Sequence, residues 1–548
     1  MGLLALFVLN AFMSMTNLWP TPFVQLDKRL APEFVLLWVV ILLLVWVFGG
    51  LSRRWLTTVT LGYMVLVLGR YFDTTAPALF GRDINLYWDT LQIPRVVWVS
   101  LKSYPLWVAA LVVASVVALF AGVFFALRTA IAAAARYAAP AALKSGWAWA
   151  ITLAAVVLVS ANVYGVRETW PYVSKPAIPT YWRQAKLLAK TYAERNQQKT
   201  LPASPAFDSD LAALRSADVN LFLLESYGRL AFSNPKVYQQ LQPARDALAK
   251  QIATSGMQVL SAYVNSTTFG GGSELAQLSL LSGIDTSDPL VHDLLLTTQR
   301  PTLTQQFRQR GYETFGFYPS LSWDWPERSF YDFQYFLDSR DLGYKGPKLG
   351  YWTVPDQFSL ARFDQLYPIT AQSPKRFLFF PSITSHMPFH PVPPYLPDWK
   401  QILSAQPFTD AQMAAVNAQK EDWFNMLPAY TGMIEYDYLW LAGYLAQPKV
   451  REAVYVVMGD HQPAANVTGE GASWEVPVHI ISANPQLLER FATRGFKPGL
   501  EPSGPSIGKL FDLTRMLVDV FDSGDGKTKT QPSPAPKGVA AAPPKTLP

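Results

Sequence analysis

Apolar positions concentrate in the first 165 residues; beyond them they form short runs separated by stretches with helical spacing. A bilayer-spanning helix takes about 20 mostly apolar residues. Five segments come near that length: 2–19, 34–52, 55–70, 104–127 and 147–165. The third is short. The first starts with the chain but lacks a basic n-region and a clear small-residue cleavage site, so it reads as an anchor rather than a signal peptide. Arg53 and Arg54 lie between spans two and three, and Arg128, Arg136 and Lys144 between spans four and five. The positive-inside rule puts both loops in the cytoplasm, with Lys28 and Arg29 outside as a mild exception. An odd number of spans then carries everything after residue 165 to the outer face.

The loop at 70–89, "RYFDTTAPALFGRDINLYWD", mixes Arg70, Arg82, Asp83 and Asp89 with aromatics. It reads as an interfacial aromatic belt, with a lipid-headgroup contact as the alternative. Residues 166–205 form a junction containing "YWRQAKLLAKTYAER" (181–195), a basic amphipathic helix that suits either a membrane surface or simple packing. From 206 to 520 the pattern changes. "VNLFLLE" (219–225), "YETFGFY" (312–318), "RFLFFPSIT" (376–384) and "VYVVMGD" (454–460) read as strands. Helical spacing recurs at 240–253, 273–282, 303–310 and 431–446. This alternation predicts an α/β domain with a largely parallel sheet. The tail at 521–548, rich in Pro, Ala and Lys from about 525, reads as disordered.

Composition sharpens the picture in two places. The chain of 548 residues has no cysteine, which excludes disulfides, thiolate metal sites and cysteine nucleophiles. A formal charge of +6 is too modest to suggest nucleic acid. Only five histidines are present, so their positions carry weight.

In open α/β sheets ligands bind beyond the carboxyl ends of the strands. "NLFLLESYGR" ends its run at Glu225, "FFPSITSHMPFHP" reaches His386 and His390, and "VYVVMGDHQP" reaches Asp460 and His461. Carboxylates and imidazoles are ligands for a divalent cation such as zinc or manganese. "STTFGGGSELAQLSLLSG" (266–283) offers a nucleophile: three glycines precede Ser273, and a helical pattern follows it. A hydroxyl at a helix N-terminus faces N–H groups that favour a phosphate, although the same pattern also suits a plain N-cap. Thr267 and Thr268 compete for the nucleophile's role. His292, in a polar stretch, reads as a surface residue, and His479, on a strand, as a core histidine.

These motifs resemble the alkaline phosphatase and sulfatase superfamily, in particular its membrane-anchored branch of lipoteichoic acid synthases, phosphoglycerol transferases and phosphoethanolamine transferases. The resemblance covers roughly residues 1–520. It implies an N-terminal α-helical transmembrane bundle of about five spans followed by an extracytoplasmic sulfatase-like α/β domain. It also implies a location in the bacterial inner membrane. Glu225 in "LLESYG" matches the first metal-binding acid, and Asp460 and His461 in "GDHQP" match the Asp-His metal pair. Ser273 matches the nucleophile, with "LLSG" (280–283) at the expected spacing after it. His386 in "SHMPF" matches the active-site histidine that contacts substrate or a second metal, and His390 follows it. Trp325 and Arg328 in "WDWPERSFYDF" look like the pair lining the headgroup pocket in lipoteichoic acid synthases, with the spacing shifted by a residue.

Three departures matter. The lipoteichoic acid synthases and lipid A phosphoethanolamine transferases use threonine where this chain has Ser273, although alkaline phosphatases use serine. "SELAQ" lacks the Pro and Arg that sulfatases need for formylglycine, which disfavours sulfate-ester hydrolysis. The absence of cysteine departs from the disulfide-rich lipid A phosphoethanolamine transferases and favours phosphoglycerol transfer. The resemblance therefore implies a metal-dependent transferase, with one divalent ion (Mn²⁺ or Zn²⁺) and room for a second. It would move a phospholipid headgroup through a phospho-serine to a glycan or lipid acceptor. A hydrolase of the same fold and an inactive binding module are the alternatives.

Overall fold

The computed structural model describes residues 2–524, except 19–20, 81–83, 85, 87–88, 91–92, 95–96, 98–104, 139–145, 167–170, 197–200, 320, 323–324, 326–327, 350–353, 449 and 470. Arg82, Asp83, Lys144 and the tail from 525 lie outside the described residues. The chain divides into two compact units, Met1–Gln197 and Gln198–Pro548.

In the first unit, helices span Gly2–Ser14, Pro32–Phe48, Arg53–Phe80, Leu106–Tyr137, Gly146–Val163 and Ile178–Asn196. A short ribbon pairs β1 (Thr16–Asn17) with β2 (Val24–Gln25). Among the described residues, two helices are long and apolar enough to cross a membrane, Arg53–Leu79 and Leu106–Tyr137. Gly2–Ser14, Pro32–Phe48 and Trp149–Val163 are apolar but shorter.

The third expected segment, 55–70, extends to Phe80, because the charges that interrupt its hydropathy are satisfied. Arg70 is buried and donates from Nε to the Met15 carbonyl (3.0 Å) and from Nη1 to the Lys175 carbonyl (2.9 Å). Asp73 accepts from the Thr180 hydroxyl at 2.7 Å. Glu33 Oε1 accepts the backbone N–H groups of Ala177 (2.6 Å) and Ile178 (3.0 Å) at the start of the Ile178–Asn196 helix. A carboxylate there satisfies orphan donors and complements the helix dipole. The amphipathic helix is thus pinned to the first unit at its N-terminus, while Trp182 stays exposed with Lys186 over its ring.

The second unit is built on one eight-stranded sheet. Its strands are β3 (Asp218–Leu224), β4 (Gln258–Asn265), β5 (Glu313–Tyr318), β6 (Tyr335–Asp338), β7 (Arg376–Pro381), β8 (Ala453–Gly459), β9 (Glu475–Ser482) and β10 (Lys497–Pro498). Their order is β10-β4-β9-β8-β3-β7-β5-β6. From β8 to β6 all pairings are parallel, whereas β9, β4 and β10 join antiparallel. The sheet is therefore mixed, with a parallel half carrying the four strands read from the sequence.

Every residue of β3 is buried, as a central parallel strand covered on both faces requires. Phe222 and Leu224 enter one core with the helices Pro235–Thr254, Asp356–Leu366 and Leu427–Ala446. Val219, Leu221 and Leu223 enter the other with Ser273–Ser282, Leu303–Gln309 and Leu510–Phe521. The period-2 alternation of a strand divides its side chains between two helical layers, and each fully buried large apolar side chain contributes about 1.5–3 kcal/mol.

Candidate active site

Register brings the two carboxylates together. β3 and β8 run parallel with Leu224 opposite Gly459, so the next residue on each strand, Glu225 and Asp460, emerges at the same sheet edge. The Asp460 N–H donates to the Leu224 carbonyl at 3.3 Å. Gly459 is required by this approach: a Cβ there would collide with the Tyr227 carbonyl and sit 3.3 Å from Val476 Cβ.

The cluster is buried and tightly wired. Glu225, Asp460 and His461 are each at most 5% exposed and each offers a ligand atom within 4.8 Å of the others. Asp460 Oδ1 accepts N–H groups from Ser226 (2.9 Å) and His461 (2.6 Å). Ser226 Oγ donates to Glu225 Oε1 at 3.1 Å, and Ser382 Oγ accepts the Glu225 N–H at 2.9 Å. His461 Nδ1 lies 2.8 Å from the Gln462 carbonyl, an acceptor, so Nδ1 carries a proton. Nε2 then faces Glu225 Oε1 at 3.3 Å and Asp460 Oδ2 at 3.6 Å.

Burial disfavours charge on all three groups, but the groups answer one another. Burial and the Glu225 charge push the Asp460 carboxyl up, whereas His386 and His461 outweigh burial at Glu225 and hold it down. At His461 the opposing effect of burial is overcome by Asp460 and Glu225, which raise the imidazole to about 10. Two buried carboxylates that demand a positive charge between them, with an imidazole whose other nitrogen is fixed by a carbonyl, form a donor set that fits a divalent cation.

Besides Ser226, Ser273 brings a hydroxyl to this cluster, and it contacts both Glu225 and His461. It lies 3.0 Å from Glu225 Oε2 and 3.1 Å from His461 Nε2. Ser273 opens the helix Ser273–Ser282, and the N-cap position belongs to Gly272, whose φ of 78° suits glycine. Ser273 is thus the first helical residue and makes no side-chain cap. Of the competing threonines, Thr268 spends its hydroxyl on the Gly271 carbonyl, and Thr267 is buried.

The remaining sequence candidates fall into different settings. His386 and His390 follow β7 and line one pocket with Thr384, Val354 and Met433. His386 Nδ1 sits 2.6 Å from the Met387 carbonyl, and His390 Nε2 is buried without a hydrogen-bond partner. The Met387–Pro388 and His390–Pro391 bonds are cis. Trp325 packs among Tyr318, Tyr331 and Phe336, and exposed Arg328 lies 5.4 Å from the Phe336 ring centroid. That segment follows β5 on the same sheet edge, but the Trp325 ring is taken up by aromatic packing. His479 is a satisfied core histidine on β9, 2.6 Å from Ser261 Oγ and 3.0 Å from Tyr227 OH. His292, expected at the surface, is instead buried, with Nδ1 3.1 Å from Asp293.

Sequence reasoning passed over the groups behind the cluster. Asp356 is fully buried at the start of the helix Asp356–Leu366, and its carboxylate accepts the N–H groups of Ile383 (3.0 Å) and Thr384 (2.8 Å). It therefore holds the loop that leads to His386. Ser385 donates to the Glu225 carbonyl at 2.8 Å, and Gln462 Oε1 accepts the Leu230 N–H at 3.2 Å. Ser226 and Gln462 directly follow quoted motif residues, the one signal available; Asp356 had none.

Acidic, imidazole and hydroxyl groups thus converge at the carboxyl ends of parallel strands in an α/β domain, an arrangement suited to metal-assisted ester chemistry. Residues 231–479 match the family model described as Sulfatase. Among solved structures, the lipoteichoic acid synthase LtaP from Listeria monocytogenes is 15% identical, with a TM-score of 0.37 over 61% of this chain and 78% of that one. The Streptococcus pyogenes phosphoglycerol transferase GacH, in complex with sn-glycerol-1-phosphate, is 13% identical, with a TM-score of 0.37 over 62% and 81%. The C-terminal periplasmic domain of EcEptC from Escherichia coli is 14% identical, with a TM-score of 0.36 over 59% and 86%. No curated protein matches the sequence.

Proposed function

We propose that this protein is a membrane-anchored phosphotransferase that moves a phospholipid headgroup, phosphoglycerol by preference, onto a glycan or lipid hydroxyl outside the cytoplasmic membrane. The observation that carries the reading is the Ser273 hydroxyl, 3.0 Å from Glu225 and 3.1 Å from His461 at the start of a buried helix. Glu225, Asp460, His461 and Ser273 would hold one divalent cation, manganese or zinc. Such an ion lowers the pKa of a coordinated hydroxyl and neutralises developing phosphate charge.

The chain's own groups then have distinct tasks. Ser273 Oγ attacks phosphorus in line and passes its proton to Glu225 Oε2, 3.0 Å away, as the Oγ–P bond forms. The P–O bond to diacylglycerol breaks, and the leaving oxygen takes up a proton, a task that suits His386. N–H groups of the first helical turn stabilise charge on the equatorial oxygens. An acceptor hydroxyl next attacks the phospho-serine, giving its proton to His386, while the Oγ–P bond breaks and Ser273 Oγ takes its proton back from Glu225. His390, Trp325 and Arg328 are assigned to the headgroup.

The helices Arg53–Leu79 and Leu106–Tyr137 and the three shorter apolar ones support reading the first unit as a five-span bundle. Such a bundle, in the bacterial inner membrane, would keep the active site beside its lipid donor. The experiment is turnover of labelled phosphatidylglycerol with and without glycan. Glycan-dependent release of diacylglycerol, abolished in Ser273→Ala, supports transfer. Equal release of glycerol phosphate in both conditions replaces transfer by hydrolysis.

A further inference from the structure

A second cavity opens beside the active site, with a volume of about 240 Å³. Arg229, Tyr238, Tyr263, Glu501 and Ser503 contribute to its lining. The mechanism above uses none of these residues.

Its chemistry is balanced rather than anionic or cationic. Arg229 pairs with Glu475, and Arg245 Nε lies 3.1 Å from Glu501 Oε1. Tyr238 OH donates to the same Glu501 oxygen at 2.9 Å. The guanidinium of Arg229 lies over Tyr263 at 4.7 Å, and that of Arg245 over Tyr238 at 4.2 Å, which stiffens both walls. Arg245 is only 2% exposed, and its Nη1 donors have no hydrogen-bond partner. An incoming phosphate would meet Glu475 and Glu501, and an incoming cation would meet two guanidiniums. A neutral polyol supplies both donors and acceptors, and its C–H faces suit aromatic rings.

Both walls continue into the active site. Arg229 is four residues from Glu225, so the two Cα atoms are at most about 14 Å apart. Tyr263 is three residues before Ser266, whose hydroxyl donates to the Asp460 carbonyl. Gln462, next to His461, accepts the N–H of Leu230, the residue after Arg229. A saccharide chain seated in the cavity therefore lies within a few sugar units of Ser273.

We propose that this cavity is a subsite for a neutral glycan segment that presents the acceptor hydroxyl to the phospho-serine. The assignment of the ligand as acceptor rests on the transferase reading above; the binding itself does not. The test is saturation-transfer NMR on the full-length protein in detergent, with cellotetraose, maltotetraose and laminaritetraose as neutral probes and sn-glycerol-1-phosphate as the anionic one. Wild-type protein is expected to bind at least one tetrasaccharide. Ser503→Trp, on an exposed loop at the cavity, and Glu501→Gln should each weaken that binding at least tenfold, with unfolding midpoints close to wild type.

Absence of tetrasaccharide binding, equal binding by both variants, or displacement of the sugar by sn-glycerol-1-phosphate overturns the proposal. Separately, mass spectrometry of wild-type protein incubated with phosphatidylglycerol checks for the adduct on Ser273. Sugar binding without that adduct would sink the transferase reading and leave the neutral-glycan site standing.

Discussion

Gly459→Ala isolates the geometry on which the site depends. The new Cβ would collide with the Tyr227 carbonyl, which is backbone and cannot swing aside, and would press on Val476 Cβ at 3.3 Å. Relief requires moving 225–228 away from 459–461, by on the order of 1 Å in a close-packed interior. Ser226 lies inside the displaced segment, so its N–H bond to Asp460 Oδ1 at 2.9 Å lengthens along with the Glu225–Asp460 separation. Overpacking of this kind costs about 1–3 kcal/mol. At about 2–4 °C per kcal/mol for a domain of this size, the melting midpoint falls by roughly 2–12 °C. A misplacement of about 1 Å at reacting groups costs about 100-fold in rate. The assay pairs thermal unfolding with kcat/KM for diacylglycerol release and metal content at a temperature where the variant is folded. A folded variant with wild-type kcat/KM and metal content would refute the claim that register between β3 and β8 builds the site.

Other expectations follow from single contacts. Asp356→Ala leaves the N–H groups of Ile383 and Thr384 without their acceptor, at about 1–3 kcal/mol each, and should lower both stability and turnover by loosening the loop to His386; unchanged melting and kcat would contradict this. Buried His479 is held down to about 3 from an ordinary 6.5 by burial, so the unfolded chain binds the extra proton between those values. Its contribution to stability is full above about 6.5 and is lost as pH falls through that window toward 3; denaturant titrations from pH 7 to 4 should show a shallower decline in His479→Gln. Chelation should abolish headgroup release and lower the melting midpoint, with manganese or zinc restoring both; full activity in chelator would count against the metal assignment.

The sequence showed the parallel half of the sheet more clearly than the antiparallel half. β3 and β8 are covered on both faces, so apart from Asp218 and Asn220 they read as mostly apolar runs ending in Glu225 and Asp460. β4, "QVLSAYVN", alternates Ser261 and Tyr263 with apolar residues and was not among the strands expected from the sequence; β6 and β10 are too short to carry a pattern. Helix 273–282 was delimited by its glycines, Gly272 and Gly283, both with positive φ. Hydropathy marked the third apolar segment as ending near Arg70, because a sum over residues cannot see that Arg70 and Asp73 find partners in Met15, Lys175 and Thr180.

At the site, Glu225, Asp460, His461 and Ser273 were visible as residues suited to chemistry. Their convergence depends on the Leu224–Gly459 pairing across 235 positions, which no local pattern reveals. Asp356 was invisible for the same reason: its work is done on backbone 27 and 28 residues away.

The most direct measurement of the central claim is anomalous diffraction from the full-length protein grown with manganese or zinc. The account predicts one strong peak within coordination distance of Glu225, Asp460, His461 and the Ser273 hydroxyl. A protein loaded with metal elsewhere, leaving those four groups without a shared ion, would contradict it.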